Sequence, residues 1–250
     1  MLYSIGGFHI DIQLVHPFLL NHLSDFKAFK STAERADFTI TVTQGDIDRE
    51  FEFFDPDHTR DRTAHKNIAL VELNALHRKI NNMILQYGAF VMHGVLIEYE
   101  GKGYLFTAKS GTGKTTHMLL WQKAFGKENV HVINGDKPIF RLTEDGIYGY
   151  GTPWCGKEHY HTASSVKLAG ILLLRRGAEN HFKKIPVEEA VPFLLGQIEV
   201  ENSADLQKQL EYLDRMLAAV PVYCMQCNMD VSAAETAYAG IKAEEKNANH

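Results

Sequence analysis

Residues 104–116 read YLFTAKSGTGKTT, and this stretch decides how the rest of the chain is interpreted. Residues 104–107 predict a short strand, small residues follow, and a helix is predicted to begin at Lys114. The loop nearly matches G-x-x-x-x-G-K-[ST], the phosphate-binding (Walker A) pattern, with Ala108 where the pattern has glycine. Alanine tolerates most conformations with negative φ, so we expect the loop to keep its shape.

A loop of this kind binds phosphate through its backbone N–H groups and the N-terminus of the following helix. Lys114 would add a positive charge for the β- and γ-phosphates, and the Thr115 hydroxyl is placed to ligate Mg²⁺. A ligand-free glycine-rich turn is the alternative, but it rarely produces this sequence between a strand and a helix. We therefore predict a site for ATP and Mg²⁺ formed by Ser110, Gly111, Thr112, Gly113, Lys114, Thr115 and Thr116.

The composition is that of an ordinary globular protein with a sizeable core. Of the 250 residues, 45% are hydrophobic and 23% are charged. The net charge of −5, without a long basic run, argues against nucleic acid and membrane as partners. The longest aliphatic runs, such as 169–174, are too short to span a bilayer, and the N-terminus lacks a basic signal-peptide segment. Three cysteines offer no disulfide framework, which favours a cytoplasmic location.

The first 88 residues predict a small α+β lobe. Apolar and polar residues alternate over 8–14 and 38–42, which predicts two half-buried strands. A short helix is expected over 17–29, a further strand over 50–54 and a long helix over 66–86. No catalytic residue is evident in this lobe.

The pattern changes at residue 89, where an α/β domain with mixed β-sheets and flanking helices is predicted to extend to residue 243. Two or three strands lead into the phosphate loop, and a hairpin with an Asp-Gly turn follows at residues 139–150. Further strands and helices alternate up to a closing helix over 232–241. The remaining residues, 244–250, are polar and predict a frayed tail.

Asp136 is the second most informative residue. A nucleoside triphosphate site needs a carboxylate near the loop threonine to hold Mg²⁺. Asp136 follows a short apolar strand that comes after the phosphate-loop helix, where such an acid belongs. An aspartate in a turn with Gly135 is the alternative, and we favour the metal role because the loop requires a partner acid.

Two more positions are candidates for catalysis. His93 lies in the strand before the loop strand, and the sequence leaves a site role and core packing equally open. The glycine-bounded segment 151–158 carries Lys157 and Glu158, which could contact phosphate and act as a base or metal ligand, respectively. A solvated charged turn is the equally weighted alternative.

Other reactive side chains predict structural roles. His159 and His161 could face one side of a strand, but nothing in the sequence completes a metal set, and zinc is not expected. Cys224 and Cys227 form a CxxC without a second pair, in a strand-like context, and are predicted to be structural. For the arginines at 175 and 176, a solvated strand end is favoured over a phosphate contact.

Segments 92–116, 131–140 and 151–158 together resemble the C-terminal domain of HPr kinase and its relatives. These bacterial kinases share a phosphate-loop fold with ATP-dependent phosphoenolpyruvate carboxykinases. The resemblance covers residues 89–176 well and the C-terminal helices loosely, and the N-terminal lobe resembles those of HPr kinase-like proteins of unassigned substrate. It implies a central β-structure unlike that of Rossmann-like phosphate-loop enzymes, and γ-phosphoryl transfer to a hydroxyl, often of serine.

The resemblance extends to individual positions. Gly135 stands where the family has the first acid of a paired Asp-Asp, and the family's phosphorolysis signature is not found. The positions that match the family are His93 and Gly94 before the loop, Lys114 and Thr115 in the loop, and Asp136 as the second acid.

The sequence therefore predicts an ATP- and Mg²⁺-dependent kinase acting on a hydroxyl of a peptide, protein or small metabolite. A non-catalytic ATP-binding module, motivated by Gly135, and a carboxykinase-like enzyme remain as alternatives. Because Asp136 is expected to hold Mg²⁺ with Thr115, Glu158 and His93 are the candidate bases, and Glu158 is slightly favoured. The acceptor and the oligomeric state stay open, a homo-oligomer included.

Overall fold

The computed structural model describes residues 1–57, 59–200 and 203–248. The first part of the chain forms a three-stranded sheet in the order β1-β2-β3, with β1 antiparallel and β2 parallel to the next strand. Alternate side chains of the second strand are buried, as its sequence predicts. The elements of this lobe are β1 Leu2–Ile5, β2 Phe8–Gln13, α1 Phe18–His22, α2 Ser24–Lys27, β3 Phe38–Thr41, α3 Gln44–Phe54 and α4 His65–Ile84, which a 3₁₀ turn, Leu85–Tyr87, extends.

Two predictions in this lobe are wrong. The strand expected over 50–54 is the end of helix α3, which begins with a capping box between Thr43 and Asp46. The alternation of Phe51, which is 3% exposed, and Phe53, which is 67% exposed, imitated a strand. The single helix expected over 17–29 is two short helices, because Leu23 between them has an extended backbone.

The second part forms a curled mixed sheet of nine strands within the described residues, with helices packed against it. The strands β1 and β11 have no counterpart in the sequence prediction. The elements are β4 Ala89–Val91, β5 Val95–Tyr99, β6 Lys102–Thr107, α5 Lys114–Phe125, β7 Val130–Asn134, β8 Ile139–Thr143, β9 Gly146–Tyr150, β10 Ser165–Arg176, β11 His181–Lys184, α6 Val187–Leu194, α7 Ser203–Ala219, β12 Val222–Cys227 and α8 Ser232–Ala248.

Strand β10 joins the two halves of this sheet. Its first residues pair antiparallel with β9, and its later residues pair parallel with β6 and β12. Since β5 is antiparallel to both β6 and β7, the strands β6, β7, β10 and β12 run in the same direction. Their C-terminal ends therefore meet at one edge of the sheet, where the residues of the predicted site follow.

The two faces of the sheet are covered by different helices. Helices α5 and α8 pack on one face around Trp121, which is fully buried, and α6 and α7 pack on the other around Met216. Full burial of an apolar side chain such as Met216 contributes about 1.5–3 kcal/mol to the stability of the fold. None of the helices in the described ranges combines the length and apolar character needed to cross a membrane.

The C-terminal helix is longer than predicted. We expected it to end near residue 241 and a frayed tail to occupy 244–250, but α8 continues to Ala248. Glu245 in this extension lies 2.5 Å from the ammonium of Lys102 in β6, a contact that connects the helix to the sheet, and 3.3 Å from the Lys242 ammonium of the same helix. Residues 249 and 250 lie outside the described residues.

Candidate functional site

The loop between β6 and α5 has the backbone that its glycines predict. Gly111 and Gly113 have φ angles of 76° and 116°, which L-residues with a side chain rarely adopt. Glu100 and His159 are the non-glycine residues with positive φ in the described chain, so Ala108 has a negative φ. Alanine therefore fits its position without deforming the loop.

Two basic side chains brace this loop from opposite sides. The Lys114 ammonium donates to the Ala108 carbonyl at 3.2 Å. Burial lowers the pKa of Lys114, and the negative charge of Asp136 opposes that shift. Arg176 donates to the carbonyls of Gly111 at 2.5 Å and Thr112 at 3.3 Å. Its guanidinium thus contacts the loop, whereas the sequence favoured a solvated strand end.

A buried asparagine shapes the turn that presents Asp136. The Asn134 Oδ1 accepts hydrogen bonds from the backbone N–H groups of Asp136 at 2.9 Å and Lys137 at 2.7 Å. Its Nδ2 donates to the carbonyl and hydroxyl oxygens of Thr152, each at 3.0 Å. Sequence reasoning missed Asn134, although an asparagine two residues before a candidate acid is the signal of an Asx turn.

His93 lies beside Asp136 and fixes the state of its carboxyl group. Nε2 of His93 donates to Oδ1 of Asp136 at 2.9 Å, and the backbone N–H of Gly94 donates to the Asp136 carbonyl at 2.8 Å. Burial raises the pKa of Asp136, but the His93 hydrogen bond and the charges of His93, Lys137 and Lys114 lower it by more. The carboxylate is therefore ionised, and its Oδ2 accepts no hydrogen bond from the residues that the structure describes.

Most of the predicted site residues line one cleft of about 410 Å³. Thr112 does not line it, because it lies on the other side of the loop in a second cavity of about 440 Å³. The residues that line the cleft are His93, Ser110, Gly111, Gly113, Lys114, Thr115, Thr116, Gly135, Asp136, Gly156, Lys157 and Glu158.

The position of Gly135 leaves no room for a side chain. A Cβ atom there would lie 2.7 Å from the Cys155 carbonyl oxygen and 3.1 Å from the Tyr160 Cβ. The Gly135 N–H also donates to the Tyr160 carbonyl at 2.8 Å. An acid at position 135 would therefore require the 155–160 backbone to move, and this site is built around glycine.

The opposite side of the cleft is the loop over residues 151–161. Gly156 and His159 have φ angles of 82° and 56°, and Glu158 is exposed at the cleft. Asp25 of the N-terminal lobe holds this loop, with Oδ2 at 2.8 Å from Nδ1 of His159 and Oδ1 at 3.1 Å from Nε2 of His161. The loop thus depends on a residue that is 134 positions away in the sequence.

Of the three cysteines, Cys155 lies beside this contact. Its sulfur and the ligand atoms of Asp25 and His159 all lie within 4.8 Å of one another. Burial and the negative charge of Asp25 raise the pKa of Cys155 to about 12. Cys224 and Cys227, three residues apart on strand β12, pack on opposite faces of the sheet and therefore do not form a joint metal site.

A third cavity, of about 470 Å³, lies between helix α4 and residues 198–200. It is lined by Lys137, whose ammonium is 2.6 Å from Oε1 of Glu199, and by His77, whose Nδ1 is 3.3 Å from Oε2 of the same residue. Burial lowers the pKa of His77 to about 4, so its ring is neutral. The consecutive residues Asp136 and Lys137 thus line different cavities.

No protein-family model and no curated protein matches this chain. Among solved structures, the Hpr(Ser) kinase/phosphatase from Coxiella burnetii is similar, with 10% sequence identity and a TM-score of 0.36. The match covers 64% of this chain and 96% of that one. A likeness at this score says nothing about activity.

Proposed function

We propose that the protein is an ATP- and Mg²⁺-dependent kinase with an HPr kinase-like phosphate-loop domain. It would transfer the γ-phosphoryl group to a hydroxyl, of the serine type, on a peptide, protein or small metabolite. The observation that carries this proposal is the single cleft that contains the phosphate loop, Asp136, His93 and Glu158. A phosphoryl-transfer site needs little more than positioning and charge, and these residues provide both.

The nucleotide would bind around the loop. Its phosphates would accept hydrogen bonds from the loop N–H groups, and Lys114 would exchange the Ala108 carbonyl for a phosphate oxygen. The adenine ring of ATP would occupy the adjoining 440 Å³ cavity, which shares Gly111, Gly113 and Thr116 with the cleft. Apolar side chains, among them Leu120 and Met229, line this cavity, and such a lining suits an adenine ring.

Asp136 and Thr115 would hold the metal ion. Both line the cleft, and Asp136 offers an ionised carboxylate whose Oδ2 is not engaged by the described residues. Oxygen ligands of this kind suit Mg²⁺. The ion would neutralise charge on the β- and γ-phosphate oxygens.

Glu158 is the proposed base. Its carboxylate would accept the proton of the acceptor hydroxyl while that oxygen bonds to the γ-phosphorus, and the bond from the γ-phosphorus to the bridging oxygen would break to release ADP. Nε2 of His93 is engaged by Asp136, which leaves His93 to position the metal ligand. Lys157 would stabilise the charge of the transferring group.

Transfer from γ-labelled ATP to acceptors in a cell extract tests this proposal. We expect labelled product with the wild-type protein and none with Asp136→Asn. Tight ATP binding with neither transfer nor hydrolysis would contradict the kinase and favour the non-catalytic ATP-binding module, whereas labelling that Asp136→Asn leaves unchanged would contradict the assigned site.

A further inference from the structure

The N-terminal lobe and the 151–161 loop meet at a cluster of side chains that the kinase chemistry does not use. Asp25, Cys155 and His159 each present one ligand atom, and these three atoms lie within 4.8 Å of one another. His161 joins them through Nε2, which is 3.1 Å from Oδ1 of Asp25. The cluster combines helix α2 with residues more than 120 positions later in the chain.

We propose that Asp25, Cys155 and His159 form a zinc site, with His161 orienting the carboxylate from outside the coordination sphere. A carboxylate oxygen, a thiolate and an imidazole nitrogen are all zinc ligands, and a water molecule would fill the fourth position. Oxygen-seeking ions such as Mg²⁺ and Ca²⁺ do not favour a thiolate. Carboxylates that ligate a metal are themselves typically hydrogen-bonded, as Asp25 is by Nε2 of His161.

The geometry requires little rearrangement. With zinc–ligand bonds of about 2.0–2.3 Å, tetrahedral ligands lie roughly 3.3–3.7 Å apart. The observed separations of up to 4.8 Å therefore close with side-chain shifts of about an ångström. His159 is 64% exposed in its side chain and has room to turn, and Cys155 would lose its thiol proton to solvent as the Zn–S bond forms.

Zinc at this site would act on the segment between its ligands. Cys155 and His159 flank Gly156, Lys157 and Glu158, which line the phosphate-loop cleft. A bound ion would fix both ends of that segment and link it to the N-terminal lobe. This consequence rests on the proposed kinase function, whereas zinc binding itself does not.

Titration of the tag-free, metal-free full chain with Co²⁺ and then Zn²⁺, without nucleotide, tests the site. We expect one Co²⁺ per chain, a cobalt–thiolate charge-transfer absorption, and its loss when Zn²⁺ displaces Co²⁺. Cys155→Ser should abolish that absorption and Cys227→Ser should keep it. His159→Ala, with its fold checked by circular dichroism, should weaken zinc binding at least 10-fold, and His131→Ala should leave it unchanged.

A cluster held only by hydrogen bonds would give a different result. No thiolate absorption with Co²⁺, an absorption that Cys155→Ser retains, or zinc binding that His159→Ala does not weaken would each overturn the proposal. Hydrogen exchange gives an independent readout, since zinc should increase the protection of residues 155–159 in the wild-type protein and not in His159→Ala. Unchanged protection of the wild-type protein would also count against the site. None of these outcomes depends on ATP, so they are distinguishable from a failure of the kinase proposal.

Discussion

The two walls of the cleft are held in different ways. The phosphate wall, residues 108–116 and 134–136, follows strand ends of one sheet, and buried bonds from Asn134 support it. The loop wall, residues 151–161, carries Glu158 at the surface and is held by Asp25 of the N-terminal lobe. In the proposed kinase, nucleotide binding is thus built into the sheet edge, whereas the group that meets the acceptor depends on a separate part of the chain.

We expect the largest effect on kcat, and substitutions in the two walls should differ in whether they also change nucleotide affinity. Glu158→Gln should lower kcat about 10²- to 10⁴-fold, the usual value of general-base help, and leave ATP affinity nearly unchanged. Asp136→Asn should weaken Mg²⁺–nucleotide binding as well. Transfer assays and calorimetry measure both effects, with Glu144→Gln at the exposed hairpin turn as the control. If Glu158→Gln kept the wild-type kcat, the general base would be His93, Asp136 or a water molecule instead of Glu158.

Low pH should destabilise the fold through a buried histidine in α5, the helix that follows the phosphate loop. Burial lowers the pKa of His117 in α5 to about 4, and its Nε2 accepts a hydrogen bond from the Trp121 indole at 3.1 Å. Since the unfolded chain binds protons near pH 6.5, the free energy of unfolding should fall as the pH falls from about 6.5 to about 4. His77, with a pKa also lowered to about 4, adds to the effect.

Urea unfolding at pH 7 and pH 5 measures this loss. We expect about 2 kcal/mol for each of the two histidines over that interval. His117→Gln should reduce the pH dependence, and His131→Gln, at a mostly exposed position, should not. An equal pH dependence in all three proteins would contradict the neutral buried state of His117.

Asn134→Ala tests the support of the phosphate wall. The substitution leaves the N–H groups of Asp136 and Lys137 and the Thr152 hydroxyl without this partner, which should cost about 1–3 kcal/mol of stability. Mg²⁺–ATP affinity should fall with it, because the turn that presents Asp136 loosens. If Asn134→Ala retains full Mg²⁺–ATP affinity, the turn does not depend on this residue.

The smallest expected effect concerns the brace on the loop. Arg176→Gln removes two hydrogen bonds to the carbonyls of Gly111 and Thr112 at an exposed position. Exposed pairs contribute less than about 1 kcal/mol, so ATP affinity should fall no more than about fivefold. The neighbouring Arg175→Gln serves as the control in the same titration. A loss far above fivefold would mean that Arg176 contacts the nucleotide itself.

The two walls also differ in how well the sequence predicts them. The phosphate wall is encoded locally, since glycine at positions 111 and 113 and the strand before Asp136 carry their own signals. The loop wall depends on Asp25, 134 residues before His159, and no spacing rule connects them. For the same reason, no signal in the sequence indicates that Asp25 lies beside Cys155 and His159, and zinc was not expected there.

The wrong prediction of a strand over 50–54 also has a physical reason. The sequence of helix α3 alternates Phe51 and Phe53 with polar residues, and that pattern outweighed the capping box that begins at Thr43. At Gly135, the resemblance to HPr kinases predicts an acid, and only the structure shows that the Cys155 carbonyl would contact a side chain there.

Calorimetric titration with ATP, with and without Mg²⁺, is the most direct test of nucleotide binding at the loop that carries Lys114. We predict one nucleotide per chain, tighter binding with Mg²⁺, and an affinity about 10- to 100-fold lower in Lys114→Ala, the value of a charged hydrogen bond to phosphate. Lys114→Ala also loses its bond to Ala108, a cost of about 1 kcal/mol that the melting temperature monitors. Lys109→Ala, an exposed lysine of the same loop, should bind as the wild type does. No ATP binding by the wild-type protein, or unchanged binding by Lys114→Ala, would contradict the account.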